Sequence, residues 1–166
     1  SLKALCERFQ TCLELDIENT SVPIIYKKDT PDKDAAIDMG KKMLSVLHEN
    51  IAQTVQSLHE IVAVELPLAA TLYTDEGEPT DFKLAGILDP VLRDKNGEIL
   101  VVDNKTAVRP MAQSTADENL QMSAYAYLLA ANKYVFPRVP VNCRFNILRK
   151  LKTPKLEHVH TVRIAE

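Results

Sequence analysis

Two apolar runs joined by a short polar turn constrain this chain more than any other feature. The joining residues are Asp94, Lys95, Asn96 and Gly97. Asp suits the first position of a type I turn, and Gly suits the left-handed position that closes a three-residue hairpin loop with a bulge. We therefore predict a β-hairpin at the centre of the sequence.

The predicted turn fixes which residues of the hairpin lie opposite each other. With a three-residue loop, Asp89 lies directly opposite Asp103, and Ile87 lies opposite Lys105. Opposed residues share a face of the sheet, as do residues two apart along a strand, so Asp89, Asp103 and Lys105 should converge. A two-residue turn would shift the pairing by one residue and send Asp89 to the other face. The three-residue loop is the register that we favour.

A pair of carboxylates in apolar surroundings is costly, because the like charges repel and each loses its hydration. A hard divalent cation such as Mg²⁺ removes both costs, since it takes one or two carboxylates together with water and phosphate oxygens. Lys105 adds a compact cation that can hold a water or a phosphate oxygen near such a metal. The alternative is a carboxylate pair at a frayed strand end, with Lys105 as its salt-bridge partner.

Three motifs follow one another around this hairpin: Gly86-x-x-Asp89, then Asp103-x-Lys105 with Thr106, then Gln121-x-x-x-Tyr125. Their order and spacing resemble the PD-(D/E)XK nuclease superfamily, in particular the RecB-like exonuclease branch that carries the QxxxY motif. The resemblance extends over roughly residues 63–133.

The resemblance implies a metal-dependent nuclease site. It implies that Asp89, Asp103 and the backbone carbonyl of Asn104 ligate Mg²⁺ or Mn²⁺, and that Asp89, Asp103 and Lys105 are catalytic. It also implies that Gln121 and Tyr125 line the substrate site.

Of two further positions in the family pattern, this sequence matches one and lacks the other. A Glu often lies on the strand before the hairpin, and Glu65 fits this place as a catalytic candidate. It can pair with Lys105, help to hold a metal or face solvent on a strand edge. The helical His of the pattern is not matched, because Gly40 precedes His48 by eight residues, so we expect the equivalent helix upstream of Ser1 or absent.

Length and composition favour one domain over residues 1–166. Because the chain starts with Ser and not with Met, we also consider it a candidate piece of a longer protein. The net charge of −3 argues against binding nucleic acid by bulk positive charge alone. The three cysteines form no C-x-x-C pair, so we expect reduced thiols, a cytoplasmic location and no iron–sulfur cluster. No stretch predicts a membrane span, and we expect no membrane partner.

The resemblance implies an α/β fold, a mixed central sheet of about five strands flanked by helices, as in the restriction-endonuclease-like core, and the apolar periodicity predicts where its elements lie. The helices are expected at residues 2–15, 30–59, with Thr30 as the cap, and 117–133, whose buried stripe is Leu120, Ala124, Tyr127, Leu128 and Ala131. Strands are expected at 61–73, on both sides of the turn, at 141–148 and at 158–164.

Two basic features bear on a nucleic-acid substrate. Arg109, in the loop after Lys105, is a candidate phosphate contact, with a solvent-facing Arg as the alternative. A second group follows the strand at 141–148 and can either track a nucleic-acid backbone or serve solubility: Arg144, Arg149, Lys150, Lys152 and Lys155.

Together these features predict a Mg²⁺-dependent deoxyribonuclease, an exonuclease of DNA repair or recombination that acts with other domains or subunits of a larger assembly. A rival is a catalytically inactive nucleic-acid-binding or scaffolding domain of the same fold. A third alternative is an enzyme that uses the same carboxylate pair on a small molecule.

Overall fold

The computed structural model describes residues 1–28 and 30–165, with the side chains of residues 52–58 excepted. Four helices and seven strands follow one another in this part of the chain. They are α1 (Leu2–Asn19), α2 (Lys33–Ser57), β1 (Leu58–Ala63), β2 (Leu66–Tyr73), β3 (Pro79–Leu88), β4 (Val91–Asp94), β5 (Ile99–Ala107), α3 (Gln113–Asp117), α4 (Leu120–Ala131), β6 (Pro140–Arg149) and β7 (Lys155–Ile164).

Five strands form the main sheet in the order β1-β4-β5-β6-β7, and β2 and β3 form a second, two-stranded sheet. In the main sheet β5 and β6 run parallel, whereas the other neighbouring pairs run antiparallel. The predicted mixed five-stranded sheet with flanking helices is therefore confirmed. The predicted adjacency of the last two strands is confirmed as well.

The central turn closes in the predicted register. Val91 pairs with Val101 and Arg93 with Ile99, as a three-residue loop requires. Gly97 has a φ of 85°, the left-handed conformation that closes the bulge. Its amide donates to the carbonyl of Asp94 at 3.1 Å, and the Asp94 carboxylate accepts from the amide of Asn96 at 2.8 Å.

The strand predicted at residues 61–73 is wrong in one respect, because it bends at Val64 and Glu65 into β1 and β2. Its partner bends at Asp89 and Pro90, so that β1 pairs with β4 and β2 with β3. The prediction that Ile87 lies opposite Lys105 is wrong for the same reason, since Ile87 leaves the main sheet and pairs with β2.

Local capping shifted the helix boundaries from those predicted. Asp32, and not Thr30, caps α2, because its Oδ1 accepts from the amide of Ala35 at 2.8 Å. The helix predicted at residues 117–133 is α4, which starts only at Leu120, because the side chain of Asn119 caps it by accepting from the amide of Met122. The short helix α3 lies in the segment that was predicted as a loop. The first helix extends to Asn19.

The main core lies between the sheet and α4. The buried residues of α4 are Met122, Tyr125, Ala126, Leu128 and Leu129, so the predicted stripe was rotated, and Leu120 is 83% exposed. They pack against side chains of β5 and β6 that face the same side, among them Val101 and Phe145. Leu47 and Ile51 of α2 face the opposite side of the sheet, where they lie near Val102 and Leu156. Within the described residues, no helix is both long and apolar enough to cross a bilayer.

Candidate active site

The two acidic residues of the hairpin lie near the place where the chain passes from one sheet to the other. Asp103 lies on β5 facing α4 and is 3% exposed. Asp89 lies in the bend between β3 and β4, and its Oδ2 accepts from the backbone amide of Asn104 at 3.0 Å. The bend therefore keeps Asp89 beside β5, although the regular strand pairing ends at Val91 and Val101.

Lys105 lies two residues after Asp103 and on the same face of β5. Its Nζ lies 2.6 Å from Oδ2 of Asp103 and donates a hydrogen bond to Oε1 of Gln121 at 3.1 Å. The ammonium is therefore held from the strand by a buried carboxylate and from α4 by a neutral amide. Its side chain is 38% exposed, so it is accessible to a substrate.

Gln121 and Tyr125 continue this network along α4. Nε2 of Gln121 donates to Oη of Tyr125 at 2.7 Å, and Oη of Tyr125 donates to the carbonyl of Ile87 at 3.1 Å. The hydrogen bonds therefore run in one direction, from Lys105 to Gln121, from Gln121 to Tyr125 and from Tyr125 to the backbone of β3. These two neighbours fix which end of the Gln121 amide accepts and which end donates. Sequence reasoning missed the Ile87 carbonyl, because no side-chain pattern marks a backbone acceptor.

Tyr125 stays a neutral hydrogen-bond donor. Burial raises the pKa of Tyr125, the hydrogen bond with Gln121 opposes this, and the charges of Asp103 and Asp89 raise it further. Gly86 lies against α4: a Cβ there would lie 3.3 Å from Cδ1 of Leu128, a tight contact, and 3.8 Å from Cε1 of Tyr125, an ordinary one. The Gly of the first motif thus makes room for Leu128 of α4, beside the Tyr of the third motif.

The donor set suits one hard divalent cation. Oδ2 of Asp103 is buried and, within the described residues, receives no directed hydrogen bond despite the nearby ammonium. A second carboxylate, Asp89, lies across the bend, and both offer the oxygen ligands that Mg²⁺ and Mn²⁺ accept. No cluster of three or more His, Cys, Asp or Glu side chains suited to a metal occurs among these residues, so a cation here would need backbone, water or substrate oxygens.

The other candidates lie around this centre rather than in its network. Glu65 is exposed and has a φ of 54°. It lies in the bend between the residue pairs Ala63–Val91 and Leu66–Leu88, and Asp89 lies in the facing bend of the partner strand. Arg109 is exposed two residues after the end of β5. His48 and His59 are exposed on α2 and β1.

The basic group predicted along β6 does not act as one surface. The guanidinium of Arg149 binds both carboxylate oxygens of Glu157 and the carbonyl of Val108, and Lys155 pairs with the same Glu157. Arg144 faces α2, on the opposite side of the sheet from Asp103. Lys150 and Lys152 remain exposed at the turn after β6.

Comparison with known proteins gives a family match over most of the chain. The family model of the PD-(D/E)XK nuclease superfamily matches residues 3–165. No curated protein gives a significant match to the chain.

Two solved structures that are similar to the chain share little sequence with it. One is a candidate exonuclease from Eubacterium rectale, with a TM-score of 0.50 and 12% identity over 97% of this chain and 59% of that one. Another, SSO0001, has a TM-score of 0.36 and 12% identity over 100% of this chain and 82% of that one. The chain thus spans about three fifths of the E. rectale protein.

Proposed function

The chain belongs to the PD-(D/E)XK nuclease superfamily, and from this premise we propose that it hydrolyses phosphodiester bonds of DNA with Mg²⁺ or Mn²⁺. One observation carries the proposal: Lys105 bridges the buried Asp103 and the Gln121–Tyr125 pair, while Asp89 lies beside the same strand. Contacts from both β5 and α4 fix the position of the Lys105 ammonium, as is needed to orient a reacting group. A solvent-facing salt bridge would not need the second contact.

Asp89, Asp103 and the carbonyl of Asn104 are the groups that would hold the metal. Asp103 contributes a buried oxygen without a directed hydrogen bond, and the Asn104 amide orients the Asp89 carboxylate. When bound, such a cation lowers the pKa of a coordinated water and neutralises negative charge that builds on the phosphate.

Lys105 holds the attacking water or a phosphate oxygen through its ammonium. A positive charge fixed at that place stabilises the negative charge of the transition state without reorganisation. Gln121 limits the positions that the ammonium can take, and Tyr125 in turn fixes Gln121 against the backbone of β3. The neutral phenol supplies a donor and adds no charge to the site.

An exposed cation beyond the end of β5, Arg109, extends the proposal to the substrate. The amide of Lys150 donates to the carbonyl of Ala107 at 2.8 Å, which keeps the turn after β6 beside the end of β5. We assign Arg109 to the phosphate backbone of the substrate and Glu65, in the bend that faces Asp89, to the metal side of the centre.

The finer assignments follow from the motifs and the neighbour. The QxxxY residues favour the RecB-like branch, and the name of the E. rectale neighbour favours an exonuclease. The proposal includes a cytoplasmic role in repair or recombination, within a larger assembly.

The proposal is tested with end-labelled linear duplex DNA and a covalently closed circle of the same sequence, each with Mg²⁺, Mn²⁺ or EDTA. We expect metal-dependent cleavage of the linear form only. Asp103→Asn and Lys105→Met should each reduce cleavage by about 100-fold or more.

Asp75→Asn and Lys95→Met are the matched controls, because both residues are exposed in turns. They should cleave as the wild-type protein does. DNA binding without cleavage by the wild-type protein would contradict the proposal and favour the inactive binding domain. Cleavage that survives Asp103→Asn and Lys105→Met would contradict the assigned site.

A further inference from the structure

Arg144 is a partly buried cation with no neutralising partner in the described chain. Its Nε is buried and has no hydrogen-bond partner. Burial lowers the pKa of Arg144, and no carboxylate counteracts this effect. Desolvating a guanidinium without a partner is costly, so this position calls for an oxygen acceptor that the described residues do not supply.

Two histidines on the adjacent strand lie beside Arg144. His160 pairs with Arg144, and His158 pairs with Asn146, across β6 and β7. Burial lowers the pKa of both His158 and His160, and the charge of Arg144 lowers each further. Nδ1 of His158 lies 2.8 Å from Oδ1 of Asn146, whose Nδ2 donates to Oδ1 of Asn104, so these polar side chains hold one another in place.

A cavity of about 230 Å³ lies between this polar group and α2. Arg144, Asn146 and His158 line one part of it, and no Asp or Glu is among its described lining residues. Pockets for drug-sized ligands measure about 300–1,000 Å³, so this one suits a smaller molecule. The aliphatic part of the lining is Leu47, Ile51, Ile61, Val64, Leu92, Val102 and Leu156.

We propose that this cavity binds a small organic oxyanion, a carboxylate or a phosphate monoester that carries a compact apolar body. The oxyanion pairs with Arg144, and the body contacts the aliphatic side chains of α2 and the sheet. The site lies on the face of the sheet opposite Asp103 and Lys105, and it does not depend on the proposed nuclease activity.

The test uses the whole chain and measures binding by calorimetry and by NMR signals of the histidine rings. Benzoate and phenyl phosphate represent the two classes, benzamide lacks the charge, and acetate lacks the apolar body. We expect saturable binding of benzoate or phenyl phosphate, whichever class the site prefers, with shifts at His158 and His160. Benzamide and acetate should bind at least about tenfold more weakly.

Arg144→Gln should weaken binding of the preferred anion at least about tenfold, whereas Arg8→Gln, an exposed Arg of α1, should not change it. Asp103→Asn should bind it as the wild-type protein does, which separates this cavity from the nuclease centre. Binding of benzamide as tight as that of benzoate, or no saturable binding of either anion to the wild-type protein, would overturn the proposal. The comparison of benzoate with benzamide uses the wild-type protein, so it tests the proposal even if Arg144→Gln does not fold.

Discussion

Lys105 is the residue on which the candidate site depends, because its ammonium joins a strand to a helix. The same ammonium lies 2.6 Å from the oxygen of Asp103 that a metal would use. Two positive charges that share one carboxylate oxygen repel each other, so Lys105 should weaken metal binding while it promotes cleavage. Metal affinity and activity can therefore be separated at this residue.

Replacing Lys105 with Met should leave Mn²⁺ binding intact or make it tighter, while cleavage falls by about 100-fold or more. The reason is that Met removes the competing charge from Asp103 and keeps the length of the side chain. Calorimetric titration with Mn²⁺ measures the first effect, and Asp103→Asn, which should lose Mn²⁺ binding, is the control. Loss of Mn²⁺ binding in Lys105→Met would show that the ammonium supports the metal site.

Replacing Tyr125 with Phe should lower the free energy of unfolding by about 0.5–1.5 kcal/mol, because the hydrogen bond to the Ile87 carbonyl is lost. Gln121 loses its partner as well, so we expect slower cleavage with unchanged Mn²⁺ affinity. Since burial raises the pKa of Tyr125, the wild-type protein should lose stability as the pH rises above about 10, and Tyr125→Phe should lose less. Chemical denaturation at neutral and alkaline pH measures both effects.

Part of the site geometry was predictable from local rules. The bulged loop sets the register of β4 and β5, and Lys105 lies beside Asp103 because residues two apart on a strand share a face. Asp89 lies in a bend beyond the regular pairing, and its carboxylate reaches β5 by accepting from the amide of Asn104. The acceptor for Tyr125 was not predictable, since it is a backbone carbonyl brought close by packing.

At the scale of elements, Arg163 of β7 connects the last strand to the helix that carries Gln121. Its Nη2 donates to the carbonyls of Ala116 at 2.8 Å and Asp117 at 2.7 Å, and its Nε donates to Oγ of Ser123 at 3.0 Å. These bonds satisfy carbonyls at the end of α3 and hold the start of α4. Arg163 thus acts on the site through the position of α4.

Arg163→Met should lower the free energy of unfolding by about 1.5–3 kcal/mol, as expected for hydrogen bonds from a charged group. It should also slow cleavage, because the start of α4 is less well fixed, with little change in Mn²⁺ affinity. Ser123→Ala removes one of these bonds and should have the smaller effect on both measurements. Equal effects of the two substitutions on denaturation would contradict this role of Arg163.

Element boundaries were less predictable than element types. The bend between β1 and β2 was missed because it depends on a matching bend in the paired strand, and Glu65 within it adopts a φ of 54°. The start of α4 was predicted three residues too early because the helical pattern continues through the Asn119 cap, and α3 was missed. The strand bend depends on a contact distant in sequence, whereas the helix start depends on a local cap that overrides the periodicity.

At the scale of the whole molecule, two polar groups lie on opposite faces of the sheet. The face towards α4 holds the carboxylates and Lys105, and the face towards α2 holds Arg144 with His158 and His160. Asn104 takes part in both, because its amide donates to Asp89 and its side chain accepts from Asn146. The helices and strands of the α/β fold were largely predictable from apolar periodicity, whereas the second polar face was not, since it depends on the register of β6 against β7.

This second face makes stability sensitive to mild acid. Burial, and then the charge of Arg144, lowers the pKa of His158 and His160 below the ordinary value of 6.5. The unfolded chain therefore binds protons that the folded protein does not, and the free energy of unfolding should fall as the pH decreases below about 6.5. A double His158→Gln and His160→Gln variant should show a weaker dependence between about pH 5 and pH 8. Denaturant unfolding at several pH values measures this dependence. Carboxylates with a lowered pKa, such as Glu157, do not interfere in this range, because they lose their contribution to stability only in stronger acid. An unchanged slope in the double variant would mean that these two histidines do not carry the acid sensitivity.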